Sequence, residues 1–274
     1  MAKVISVCNQ KGGVGKTTTA VNTATYLAIA NKKVLLIDID PQANATSGLG
    51  IDKATIEKSV YDVLVNDVNI VELVHKTVVS NLTLIPSNVA LTGAEVELVP
   101  AISREYKLTK ALTVIKEQYD FIIIDCPPSL GLLTINALAA SDSILIPIQC
   151  EYYALEGLSQ LLNTINLIKT NLNPKLDIEG VLLTMADYRT NLTEEVIQEA
   201  RNFFKGRVYE TVIPRNVKLS EAPSFGKPIH VYAEHSIGAR MYSQFSKEML
   251  GEKITNSENT PQDSTYQGGN ISGG

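Results

Sequence analysis

Lys3 to Cys8 is a short β-branched run that stops at a glycine-rich loop, and Thr17 to Ala30 behind it sets Ala, Val and Leu at helical spacing. The unit this predicts is strand, loop, helix. Lys33 to Ile37 reads as a second strand ending at Asp38, and Leu82 to Ile85 as a third ending near Pro86. A helical pattern over Ser103 to Gln118 leads into Phe121 to Asp125, which is apolar without alternation, as a strand buried on both faces should be. The alternation continues with a helix at Leu132 to Ala140, a strand at Ser143 to Ile148 and a helix at Ala154 to Thr170. It closes with a strand at Ile178 to Thr184, a helix at Leu192 to Phe204, a strand at Val208 to Val212 and a helix at Ser236 to Leu250.

Such a pattern is built from right-handed βαβ crossovers. The expected fold class is therefore α/β, a mainly parallel twisted sheet with helices on both faces and ligands at the carboxyl ends of the strands. The chain has 274 residues, enough for one large domain with a sizeable core, and that domain is placed at 1–251. From Glu252 the composition turns to Asn, Ser, Thr, Gln and Gly, too polar to offset its ordering entropy, so 252–274 is expected to be a disordered tail.

Apolar runs such as Phe121–Ile124 fall far below the roughly 18 residues that cross a bilayer. The N-terminus has no room for the apolar core of a secretory signal, which points to the cytoplasm. Three cysteines lie scattered without a CxxC pair and read as buried thiols at strand ends. Net charge is −5, so any contact with nucleic acid has to come from a local patch.

The loop after the first strand reads Gln10-Lys11-Gly12-Gly13-Val14-Gly15-Lys16-Thr17. A standard phosphate loop is G-x-x-x-x-G-K-[ST]. Counting back from Gly15, Gln10 stands where the first glycine belongs, and Lys11 follows it. Gly12, Gly13 and Gly15 let the backbone approach phosphate oxygens, Lys16 is placed for the β- and γ-phosphates, and Thr17 for Mg2+ through its hydroxyl. Lying directly behind an apolar strand and opening a helix, the segment is far more specific than a bare GK[ST], and it predicts a P-loop NTPase that uses ATP and Mg2+. Ile122-Ile123-Ile124-Asp125 has the form of a Walker B strand, whose acid holds Mg2+ through water. Asp38-Ile39-Asp40-Pro41-Gln42 sets two more acids at a strand end beside the phosphate loop.

With these motifs in place, the chain resembles the ParA/Soj group of chromosome and plasmid partition ATPases, within the deviant Walker A (MinD/ParA) class. The likeness spans roughly Lys3 to Leu250 and rests on Lys11 to Thr19, Leu35 to Gly50, Ile122 to Gly131 and Thr211 to Ile229. It implies that ATP is bound through Lys11, Gly12, Gly13, Val14, Gly15, Lys16, Thr17 and Thr18, with Pro214 and Arg215 against the adenine. It further implies that Lys11 reaches across an ATP-sandwiched homodimer to the partner's phosphates, that Asp40 orients the attacking water, and that Asp125 supports Mg2+ through water, as Asp40 could also do. Ala43 departs from the group, which usually has Gly there; a methyl group is expected to matter little beyond altering the loop after Asp40.

Six basic residues against two acidic ones between Ala200 and Ile229 make a local excess of +4. Similar proteins bind double-stranded DNA without sequence preference through such a patch, and Arg189, Lys218, Arg207 and Lys227 are the positions carried over. The resemblance also implies a nucleoid-associated protein whose hydrolysis is stimulated by a ParB-type centromere-binding partner. A MinD-like membrane ATPase would end in a basic amphipathic helix, and here the sequence after Met249-Leu250 is polar. An iron-sulfur reductase like the nitrogenase iron protein needs two cysteines placed to share a cluster, and no suitably spaced partner follows Cys126. A ParA-like positioner of non-DNA cargo would share every one of these surfaces.

Overall fold

The computed structural model describes residues 1–151 and 158–252. Its strands are β1 Lys3–Val7, β2 Val34–Asp38, β3 His75–Lys76, β4 Leu82–Ile85, β5 Phe121–Asp125, β6 Ser143–Gln149, β7 Asp177–Ala186 and β8 Val208–Pro214. They form one sheet in the order β3-β4-β2-β5-β1-β6-β7-β8, parallel throughout except where β3 runs against β4.

Helices cover both faces. On one lie α1 Lys16–Ile29, α2 Asn44–Gly48 and, farther along the chain, α9 Val217–Glu221, α10 Ile229–Ala233 and α11 Ile237–Met249. On the other lie α3 Val60–Val65, α4 Leu91–Glu97, α5 Lys107–Leu112, α6 Leu132–Ala140, α7 Leu158–Asn171 and α8 Asn191–Phe204. Side chains along β1 and just past its end show the division: Val4 and Cys8 enter the core under α6, while Ile5 and Val7 enter the core under α1. Both sides being dry is why the central strands carry no polar alternation.

Strand ends fall within a residue or two of expectation. Ser103 to Gln118 departs from it. That stretch is a 3-10 turn at Arg104–Tyr106, α5, and a second 3-10 turn at Lys116–Gln118. Ser103 holds a left-handed backbone (φ +54°), and the β-branched Thr113, Val114 and Ile115 are poor helix formers, so the periodicity does not become one helix. The expected helix at Ala154 to Thr170 is described from Leu158 onward, and its first residues and the tail from Lys253 lie outside the described residues. All three cysteines are buried and free, as expected.

Candidate nucleotide site

The carboxyl ends of β1, β2, β5, β7 and β8 converge on the loop between β1 and α1. Gly13 (φ +77°) and Gly15 (φ +87°) hold left-handed conformations that a side chain would strain. Neighbouring strands pin the loop: the Asn9 side-chain amide donates to the Pro147 carbonyl at 2.7 Å, and the Thr184 hydroxyl donates to the Val14 carbonyl at 2.9 Å. Helix α1 then starts from Gly15 with no side-chain cap and no acid in its first turn, which leaves its leading N–H groups and positive dipole end for an anion.

Lys16 is only 7% exposed, and its Nζ donates to the Lys11 carbonyl at 2.9 Å. Burial lowers its pKa, while Asp125 and, less strongly, Asp40 pull it back up. Asp125 ends β5 fully buried, and neither of its carboxylate oxygens has a hydrogen-bond partner among the described residues. Burial first and the neighbouring Asp38 charge second drive its pKa well above the usual carboxylate range, against the pull of the Thr17 hydroxyl beside it. Asp38 is equally buried but satisfied: it accepts from the Thr46 backbone N–H at 2.8 Å, the Thr46 hydroxyl at 2.7 Å and the Asp40 N–H at 3.1 Å.

Asp40 follows in the loop after β2, where its Oδ1 accepts from the Gln42 N–H at 2.9 Å and its carbonyl accepts from the Ser87 hydroxyl at 2.7 Å. Ala43 closes this turn with its N–H on the Asp40 carbonyl at 2.9 Å and a φ of +54°, at the N-cap of α2. The methyl group therefore sits on a left-handed backbone that costs an L-residue roughly 1–2 kcal/mol, more than the sequence suggested. On the far side of the loop a cavity of about 240 Å3 is lined by Gly15, Thr18, Thr184, Met185, Pro214, Arg215 and Asn216. Tyr242, which also borders it, shares a 3.1 Å hydrogen bond with Thr19 and so ties α11 to α1.

A family model described as an AAA domain matches residues 2–178. The chain is 62% identical over 249 residues to the sporulation initiation inhibitor protein Soj of Bacillus subtilis, covering 91% of this chain and 98% of that one. It is 55% identical over 250 residues to the chromosome partitioning protein ParA of Myxococcus xanthus, covering 91% and 88%. The chain belongs to the ParA/Soj family of partition ATPases. A crystal structure described as cobyrinic acid a,c-diamide synthase from Mycobacterium smegmatis, with bound ADP and magnesium, shares the fold with a TM-score of 0.81 and 37% identity, covering 91% of this chain and 94% of that one.

The deviant lysine of this ParA/Soj chain has a pinned backbone and an exposed side chain. The Lys11 N–H donates to Asn9 Oδ1 at 3.0 Å, while its Nζ lies 3.8 Å from Glu151 Oε2. The four cations carried over for DNA do not form one group. Arg189, Lys218 and Lys227 stand beyond the carboxyl ends of β7 and β8, on the nucleotide side of the sheet. Arg207 precedes β8, at the opposite end of the sheet, and pairs with Asp177 at 3.0 Å. Arg189 and Lys218 also have carboxylate partners: Arg189 Nε lies 2.8 Å from Asp187, and Lys218 2.9 Å from Glu221 with its ammonium over the Tyr232 ring. The Arg189 guanidinium holds the Asp187 carboxyl down to about 2.

Asn9, Thr184, Met185 and Glu151 escaped sequence reasoning. Asn9, Thr184 and Glu151 act through neighbours remote in sequence and Met185 lines the cavity, and only Thr184, at the end of a predicted strand, carried a hint of position.

Proposed function

We propose that this chain binds Mg2+-ATP at the β1–α1 loop, pairs with a second copy around the trapped nucleotides, and uses that pairing to switch non-specific DNA binding on and off. The observation that carries the reading is Asp125: a fully buried carboxyl whose two oxygens, with the Thr17 hydroxyl beside them, find no hydrogen-bond partner within bonding geometry among the described residues, an environment that suits a cation. Thr17 beside it, Lys16 on the loop and the uncapped α1 are the other parts a magnesium triphosphate needs.

Magnesium held by Thr17 and, through water, by Asp125 would neutralise charge on the phosphates. Lys16 turns its ammonium from the Lys11 carbonyl to the β- and γ-oxygens. The open N–H groups of α1 receive phosphate oxygens, and Pro214 and Arg215 border the base. Asp40 orients the attacking water, held by its bond to the Gln42 N–H. Lys11 places its charge on the partner's phosphates, so hydrolysis depends on assembly. Arg189, Lys218 and Lys227 of both copies then meet DNA phosphates together, and linked sites bind far more tightly than single ones. The 62% identity with Soj supports chromosome or plasmid partition with a ParB-type partner that stimulates hydrolysis.

Gel shifts on non-specific duplex DNA with ATP, ADP or no nucleotide test the proposal. Retention only with ATP is expected; equal retention in all three, or binding to vesicles and not to DNA, contradicts it.

A further inference from the structure

Glu151, just beyond the end of β6, reaches two cations from separate parts of the nucleotide site. Its Oε2 lies 3.8 Å from Lys11 Nζ and its Oε1 lies 3.6 Å from Arg215, while Gln149 also donates to Oε1. One carboxylate thus joins the phosphate loop to the loop bordering the base cavity. In the nucleotide-free chain the backbone of Lys11 is held by Asn9 on its N–H and by Lys16 on its carbonyl, while its exposed side chain is free to change partners. Next to it, Gln10 reaches Gln160 on α7 at 2.9 Å, so both residues that depart from the standard phosphate loop lean toward the segment following β6.

We propose that Glu151 is a positioning residue that holds Lys11 in cis and gives it up when nucleotide arrives. The proposal rests on the sandwich-dimer reading above. Pairs as exposed as these are weak and screened by salt, which suits a contact meant to be exchanged. Nucleotide phosphates bring negative charge to the same loop and repel the carboxylate, which loosens its hold on Lys11. Lys11 then becomes available to a second copy chiefly when the site is filled, and two latches open for each dimer formed.

The test uses the full chain with Asp40→Ala to block turnover, Mg2+-ATP below saturation so that latched chains remain, and sedimentation equilibrium at low and high salt. Adding Glu151→Gln should tighten the dimer about fivefold at low salt, with Glu151→Ala acting in the same direction, and the gain should vanish in about 0.5 M salt. A merely structural role for Glu151 would not produce that salt dependence. A parent chain that stays monomeric overturns the dimer and the latch with it. A parent that dimerises with no gain from Glu151→Gln, a loss, or a gain indifferent to salt overturns the latch alone.

Discussion

Asp38 and Asp125 stand directly opposite each other in register on the parallel strands β2 and β5, both fully buried. The pair divides the work. Asp38 receives three hydrogen bonds and fixes the start of α2, so it is a structural acid; among the described residues Asp125 has no such set of donors, with only the Thr17 hydroxyl beside it, and we propose that it serves a cation. Two like charges at one level of a dry sheet disfavour ionisation of both.

That arrangement gives the nucleotide-free chain a pH dependence. Burial, and less strongly the Asp40 charge, push Asp38 up to about 6, above the roughly 3.9 of an unfolded aspartate. Between those values the folded state binds more protons than the unfolded one, so stability from this group falls as pH rises through the window and is recovered as pH falls. Thermal melting should rise by about 2 °C from pH 7.5 to 5.5, and Asp38→Asn should flatten the slope. A parent and variant with parallel profiles would remove Asp38 as the cause.

Lys16→Ala should leave the fold intact and weaken ATP binding by about a hundredfold or more, measured by calorimetry with circular dichroism as the control for folding. Among the described residues the amine bonds only the Lys11 carbonyl, so its loss orphans little. Retained affinity would contradict the role given to this loop.

Arg189→Glu should weaken ATP-dependent DNA retention and lower the salt slope by about one phosphate per subunit. Arg207→Glu should change neither, because β8 separates it from the other cations by about 20 Å. Equal losses in the two variants would mean that DNA crosses a different face.

Ala43→Gly should stabilise the chain by about 0.5 kcal/mol, the relief of left-handed strain less the extra freedom of glycine when unfolded. Urea unfolding of the nucleotide-free protein measures it. A loss of stability would mean that the alanine methyl, 1% exposed as a residue, gains more from packing than it loses to strain.

Much of this was legible from local pattern. A β-branched run, glycines and a helical repeat locate β1, the loop and α1, and Phe121 to Asp125 announces a strand with an acid at its end. What was hidden is long-range. Nothing near Asp38 says that β5 lies between β2 and β1, and only that order sets Asp38 against Asp125. Helices as short as Asn44–Gly48 and Val60–Val65 span too few turns to show periodicity. The excess of positive charge between Ala200 and Ile229 looked like one patch because a count along the chain ignores that a strand carries Arg207 and Arg215 to opposite ends of the sheet.

The account turns on Lys11 engaging a second copy. Sedimentation velocity of the Asp40→Ala chain with saturating Mg2+-ATP should give a dimer, and adding Lys11→Ala should return it to a monomer while each chain still binds ATP. A single species of monomer mass in the first case, or an undiminished dimer in the second, would contradict it.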